Sequence, residues 1–307
     1  MNNNSGEEII DLLEVFKNIW QSKLQIIGIS LFFGLCTYVY TLNVPDEYTT
    51  KVLLSSSHQE NSASLSSASG LGSLASIAGL SIGGSAGSES DIALEVMQSW
   101  DFVDQFISTY NYQVPIVAAT SWDRTTGQLD IDQSIYDTKQ KKWVRETNRP
   151  DGAEPSSWEL FSVFKDRLTV NKMKGTGFIL IEFEFFSPVL GKELMDNYVS
   201  FINQVMRERK LDQVSRNIRY LEAEIEKTNV AKMKEIFYQL IEEQTKSLML
   251  AQATPEYVFV TVNPAMVEEA KSAPKRFLMV LVGLIWGGLV GIIWTLFTRV
   301  KKYKTHG

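Results

Sequence analysis

Within 307 residues the chain has one cysteine and two histidines, and these scarcities exclude much chemistry. Cys36 stands inside an apolar run, so no disulfide can form within the chain and no soluble thiol is there to be oxidised. With only His58 and His306 to supply imidazole, and no thiol cluster, nothing has the ligand spacing of a metal site, and no metal is expected. The glycines at 175 and 177 are not followed by Gly-Lys-Ser/Thr, so they are no phosphate loop, and no cofactor is expected. A net charge of -6 and a pI near 5.2 leave no basic surface for nucleic acid. An enzyme acting on sugar would need two carboxylates poised in a cleft. Asp101 with Asp104 falls near one helical turn and Glu182 with Glu184 on one strand face, so solvation explains both pairs and no catalytic residue is expected.

What the chain does possess is two apolar runs near its ends, Leu24 to Val44 and Phe277 to Phe297. Each has about the twenty uncharged residues a helix needs to cross a bilayer. Lys17 and Lys23 precede the first run, and Arg299, Lys301, Lys302 and Lys304 follow the second, which predicts that both termini are cytoplasmic. A cleaved signal peptide does not fit, because Glu7, Glu8, Asp11 and Glu14 spoil the basic leader and no small-x-small site follows. The expected plan is an amphipathic segment 1–23, a first membrane helix 24–44, an outer domain 45–274, a second membrane helix 275–298 and a basic tail 299–307.

Between the runs the pattern is that of an α/β base, residues 45–190 and 255–265, carrying a long helical hairpin, 191–253. Tyr48 to Leu54 reads as a strand. It enters a Ser/Gly-rich stretch, 55–90, whose small side chains bury too little surface to offset chain entropy; a loop is expected, with a segment ordered against neighbouring subunits as the alternative. Asp91 to Tyr110 reads as one helix capped by Ser90 or Asp91. Trp122, Trp143 and Trp158 stand among charged residues; core anchoring is the expected role and contact with carbohydrate the alternative. A helix over Trp158 to Leu168 precedes two strands joined at Gly175-Thr176-Gly177, with Ile179, Ile181, Phe183 and Phe185 on the core face.

No proline interrupts the stretch between Pro188 and Pro255, and a break is expected at Thr228 and Asn229. Leu211, Val214, Ile218, Leu221 and Ile225 alternate spacings of three and four, a seam that seeks another helix. As one helix, residues 191–227 would reach about 55 Å. Lys232 to Ala253 can fold back as the second arm, and an uncovered remainder of the seam would drive association with further copies. Glu222, Glu224, Glu226, Glu242 and Glu243 read as a solvated face. Tyr257 to Val262 alternates as a strand expected to pair with Tyr48 to Leu54, and Pro264 leads back toward the bilayer.

The stretch Glu243 to Gly291 resembles the polysaccharide co-polymerases, the Wzz-like chain-length determinants of bacterial surface polysaccharide. The resemblance rests on Glu-Gln-Thr-Lys-Ser-Leu-Met-Leu-Ala at 243–251, Tyr-Val-Phe-Val-Thr-Val-Asn-Pro-Ala at 257–265, and Pro274-Lys275 followed by Gly287 and Gly291. Those glycines lie one turn apart on one face, where another membrane helix can approach closely. Val267 and Ala270 occupy a region where the family has further prolines, and Ala273 replaces a common serine.

The resemblance implies an α+β membrane protein in which two terminal transmembrane helices flank a periplasmic base with an extended hairpin. It would sit in the bacterial inner membrane as a ring-shaped homo-oligomer. Without catalysis it would set the length of an O-antigen-like polysaccharide made by a Wzy-type polymerase, with the growing lipid-linked polysaccharide as a further candidate partner. The alternative within the family is an export adaptor for capsule or exopolysaccharide, working with a separate kinase and an outer-membrane channel. The short tail after Arg299 is expected to hold no kinase and no receptor output domain.

Overall fold

The computed structural model describes residues 23–57, 89–147, 152–268 and 270–305. The expected amphipathic segment 1–23 and most of the Ser/Gly-rich stretch lie outside the described residues. The chain forms two units, residues 48–270 and the two terminal pieces, 1–47 with 271–307.

The larger unit is built on a four-stranded antiparallel sheet of β1 (Tyr48–Ser56), β6 (Leu168–Lys172), β7 (Ile179–Phe185) and β8 (Phe259–Asn263), in the order β6-β7-β1-β8. Strands β1 and β7 pair from Tyr48 opposite Phe185 to Leu54 opposite Ile179. The expected pairing of β1 with the last strand is present, displaced to its end, with Leu54 opposite Thr261 and Ser56 opposite Phe259. The turn between β6 and β7 needs its glycines, since Gly175 and Gly177 both have left-handed backbone, φ 93° and 71°.

Alternation decides the core face as expected. Ile179, Ile181, Phe183 and Phe185 are buried, while Glu182 and Glu184 point away. Helix α6 (Pro188–Lys227) lays its first turns on that face, burying Leu194, Met195, Tyr198 and Ile202. It starts where Ser187 caps Leu190 N with Pro188 in the first turn. At Gly191 the helix comes so near the sheet that a Cβ would stand 2.8 Å from Thr50 Oγ1. Helices α3 (Trp100–Tyr110) and α5 (Ser157–Arg167) close the core, with Phe106 5.1 Å from the Tyr198 ring and Phe164 5.1 Å from that of Phe183.

Two sequence expectations are corrected. The single helix over Asp91 to Tyr110 is two, α2 (Glu89–Met97) and α3. The break comes at Ser99, whose backbone is extended and whose hydroxyl accepts from Phe102 N; a local cap outcompetes helix continuation. The cap is therefore Ser99, and Ser90 and Asp91 lie inside α2. Core anchoring holds for one tryptophan of the three. Trp122 packs against the core, edge-on to Tyr48 at 5.7 Å, whereas Trp143 is half-buried on a small hairpin, 5.1 Å from the ring of Tyr136, and Trp158 is 68% exposed. Between α3 and α5 run α4 (Gln113–Ala118) and two small hairpins, β2 (Ala119–Asp123) with β3 (Gln128–Ile131) and β4 (Tyr136–Asp137) with β5 (Lys142–Trp143).

Candidate functional site: the glycine face and the helical hairpin

The smaller unit is a pair of apolar helices, α1 (Lys23–Leu42) and α8 (Arg276–Thr305), both long and apolar enough to cross a membrane. Their contact runs along the glycines. A Cβ on Gly287 would lie 2.7 Å from Phe33 Cβ and 2.8 Å from Ser30 Cα; on Gly291 it would lie 3.2 Å from Ile26 Cα. The face formed by Gly287 and Gly291 is thus filled by the chain's own first helix, because only a missing side chain permits that backbone approach. Ser30 Oγ donates across the pair to Leu284 O at 2.7 Å. Thr37 and Thr295 bond within their own helices, to Phe33 O and Gly291 O, which satisfies these two hydroxyls.

One end of the pair is tied by a collar. Glu47 N donates to Ala273 O and Ser272 N to Glu47 O, each at 2.9 Å. Asp46 accepts from Arg276 at 2.9 Å and faces Lys271 at 3.4 Å. Pro274 is half-buried in this collar, and the carbonyl of Lys275 accepts the helical bond from Met279 N. The Lys275 side chain is exposed; the ion pair of the motif is made by its neighbour Arg276.

In the larger unit α6 and α7 (Ala231–Ala253) pack as two arms joined at residues 228–230. Of the five seam residues, Val214 and Leu221 are buried and Leu211, Ile218 and Ile225 half-buried. The arm α7 buries only Ala251 among its residues, and Tyr220, Tyr238, Met249 and Leu250 stand exposed. A second helix covers the seam in part and leaves apolar side chains on the outer flanks.

The hairpin is rooted by polar contacts. Asn203, on the buried side of α6, accepts from both Val258 N and Phe259 N and donates to Phe259 O, each at 2.9 Å. Its amide thus imitates a neighbouring strand at the start of β8, whose first residue is Phe259 where the sequence pattern placed Tyr257. Tyr257 donates to Glu89, which also receives Lys210 at 2.8 Å; burial and that carboxylate push the phenol well above its ordinary range. Burial similarly raises Tyr198, whose hydroxyl bonds Met97 O, and pushes Tyr112 up to about 12.

The candidate residues therefore fall into three places. Pro274, Lys275, Gly287 and Gly291 share the helix pair, the five seam residues share the hairpin, and Pro264 is an exposed residue directly after β8. Gly34 and Gly283 also belong to the close-packed face, since a Cβ on Gly34 would lie 2.6 Å from Leu284 Cδ2 and one on Gly283 would overlap Thr37. Gly283 was legible as a third member of a four-residue glycine spacing. Asn203 had no sequence signal, because an asparagine inside a long helix reads as solvated.

A family model described as Wzz, chain length determinant protein, matches residues 8–110. That range lies in the first half of the chain, whereas the resemblance read from the sequence lay at 243–291; the two regions are separate and point to the same family. No curated protein matches the chain. Among solved structures, the chain is similar to a full-length bacterial polysaccharide co-polymerase at 10% identity and TM-score 0.39, covering 97% of this chain and 100% of that one. It is also similar to a fragment of WzzB, a polysaccharide co-polymerase from Salmonella Typhimurium, at 12% identity and TM-score 0.30, covering 75% of this chain and 100% of that one.

Proposed function

We propose, on the premise that this is a Wzz-like chain of the polysaccharide co-polymerase family, that it is a membrane-anchored scaffold setting the length of a bacterial surface polysaccharide. The observation that carries this reading is the chain-length-determinant signature over residues 8–110. The helix pair supports it: two apolar helices from opposite ends of the sequence, joined along a glycine face, make one compact anchor for everything between them. In this reading α1 and α8 cross the inner membrane with both termini cytoplasmic, and residues 45–274 form the periplasmic part. The partner is a Wzy-type polymerase, and further copies of the chain cover the apolar flanks that α6 and α7 leave exposed. No side chain of the scaffold reacts; it acts by position.

Deleting the gene in the organism that encodes it, and restoring it on a plasmid, tests this directly. The expected result is a polysaccharide whose chain lengths lose their mode on deletion and regain it on restoration. Polymer retained inside the envelope, with its length unchanged, would instead mean an export adaptor. A cysteine placed at residue 140 and labelled only in permeabilised cells would overturn the topology.

A further inference from the structure

The collar at the end of the helix pair holds more cations than its carboxylates use. Asp46 is shared by two of them, Arg276 at 2.9 Å and Lys271 at 3.4 Å. Lys275, next to Arg276 in the chain, is exposed and has no carboxylate partner among the described residues. Three cations thus stand against two carboxylates, Asp46 and the half-buried Glu47. Glu268, further along the chain, lies within electrostatic reach of Lys51 in the larger unit. The Arg276 side chain is 32% exposed. Its Nε is covered and its Nη2 holds Asp46, so an outside acceptor meets Nη1, which bonds no described group. Apolar surface starts at the very next residue: Phe277 is 82% exposed, and Leu278 beside it and Tyr40 and Leu42 on α1 are exposed as well.

We infer that the collar binds the phosphate of an anionic phospholipid in the outer-facing leaflet, with its oxygens on Lys275 and Arg276 and its acyl chains along the apolar surface that begins at Phe277. This rests on the reading of α1 and α8 as membrane-crossing helices with cytoplasmic ends. In that reading the collar stands at the level of the headgroups, because uncharged side chains run unbroken from Phe277 into the bilayer. Cations on the outer side run against the usual bias toward the cytoplasm, so orientation does not account for them. Charge selects the ligand. A zwitterionic headgroup brings its own cation, which the surplus in the collar would repel, whereas an anionic headgroup brings none. A guanidinium and an ammonium are the side chains best suited to phosphate oxygens. The adjoining apolar surface selects an amphiphile over free phosphate, since only a lipid joins a phosphate to hydrocarbon chains. Each cation beside an anionic membrane surface is worth about a fivefold preference.

The experiment uses the full-length protein in nanodiscs of phosphatidylcholine mixed with phosphatidylglycerol. Phe277→benzoylphenylalanine places a photoreactive ring beside the collar, and mass spectrometry identifies the lipid it captures. Phosphatidylglycerol should be captured about fivefold or more above its share of the bilayer. Lys275→Gln leaves the pair between Arg276 and Asp46 intact and should lower that excess about fivefold, whereas Lys275→Arg should keep it. Lys301→Gln with Lys302→Gln, at the far end of α8, should not change it. Capture in proportion to the bilayer composition overturns the site and leaves the cations as general anchors of the helix end. So does an excess that Lys275→Gln does not lower. An excess abolished by inorganic phosphate at constant ionic strength makes the ligand free phosphate and overturns the lipid. All three outcomes leave the chain-length reading standing, because gene deletion tests that reading separately.

Discussion

Replacing Gly287 by alanine adds one methyl group, and the geometry says what it must do. The new carbon would stand 2.7 Å from Phe33 Cβ and 2.8 Å from Ser30 Cα. Ordinary carbon contacts lie at about 3.5–4.0 Å, so the helices must part by roughly 1 Å. Because one of the two neighbours is backbone, rotating a side chain cannot relieve the overlap. Parting costs about 1–3 kcal/mol of packing. It also stretches the Ser30 to Leu284 hydrogen bond out of range, for about 0.6 kcal/mol more. The total is about 1.6–3.6 kcal/mol. Gly291→Ala should cost less, its nearest contact being 3.2 Å, and Gly34→Ala less again because Leu284 is a flexible side chain. Gly288→Ala should cost nothing, since the nearest atom is Ser30 Oγ at 4.0 Å. The assay is the resistance of the helix pair in the full-length protein to titration from mild detergent into SDS, read by a donor and acceptor dye placed one on each helix. The reasoning is refuted if Gly288→Ala weakens the pair as much as Gly287→Ala, or if Gly287→Ala leaves it unchanged.

Asn203→Leu removes the partner of two backbone N–H groups and one carbonyl in a buried place, and should destabilise the larger unit by about 3–9 kcal/mol at 1–3 kcal/mol per unsatisfied group. Hydrogen exchange at the Val258 and Phe259 amides should accelerate first, and unchanged protection there would contradict the edge-capping role. Leu221→Ala should cost about 2–4 kcal/mol in thermal unfolding and Ile218→Ala about half of that, because the first is buried and the second half-covered; the opposite order would mean that the seam faces another partner. Tyr112, Tyr198 and Tyr257 all ionise above the ordinary phenol range in the folded chain. The unfolded chain therefore loses these protons first, and their stabilisation, complete below about pH 10, falls above it by about 1.4 kcal/mol per pH unit for each tyrosine still protonated. Denaturant midpoints measured from pH 9 to 11.5 should decline, and a flat profile would contradict the burial of these hydroxyls.

Much of this protein is determined by period and composition. Two uncharged runs of helical length, an alternation of Ile179, Ile181, Phe183 and Phe185, and a proline-free stretch with a three-four seam each specify an element from local physics, because side-chain period and backbone geometry are linked residue by residue. The pairing of β1 with β8 was legible from a different signal, since both strands lie next to the apolar runs in the sequence. Other features depended on which groups meet across the chain. That the glycine face of α8 is filled by α1, that Arg276 and not Lys275 reaches Asp46, and that Ser99 divides one expected helix into two are outcomes of competition between partners. Asn203 is the clearest case: its amide has value only because a strand edge more than fifty residues away arrives with unsatisfied hydrogen bonds. Trp158 is the reverse, a residue whose character as an aromatic was plain and whose exposure only the packing of α5 could decide. Local sequence sets what each segment can be, whereas burial and hydrogen-bond satisfaction between distant segments decide which of those capacities is used.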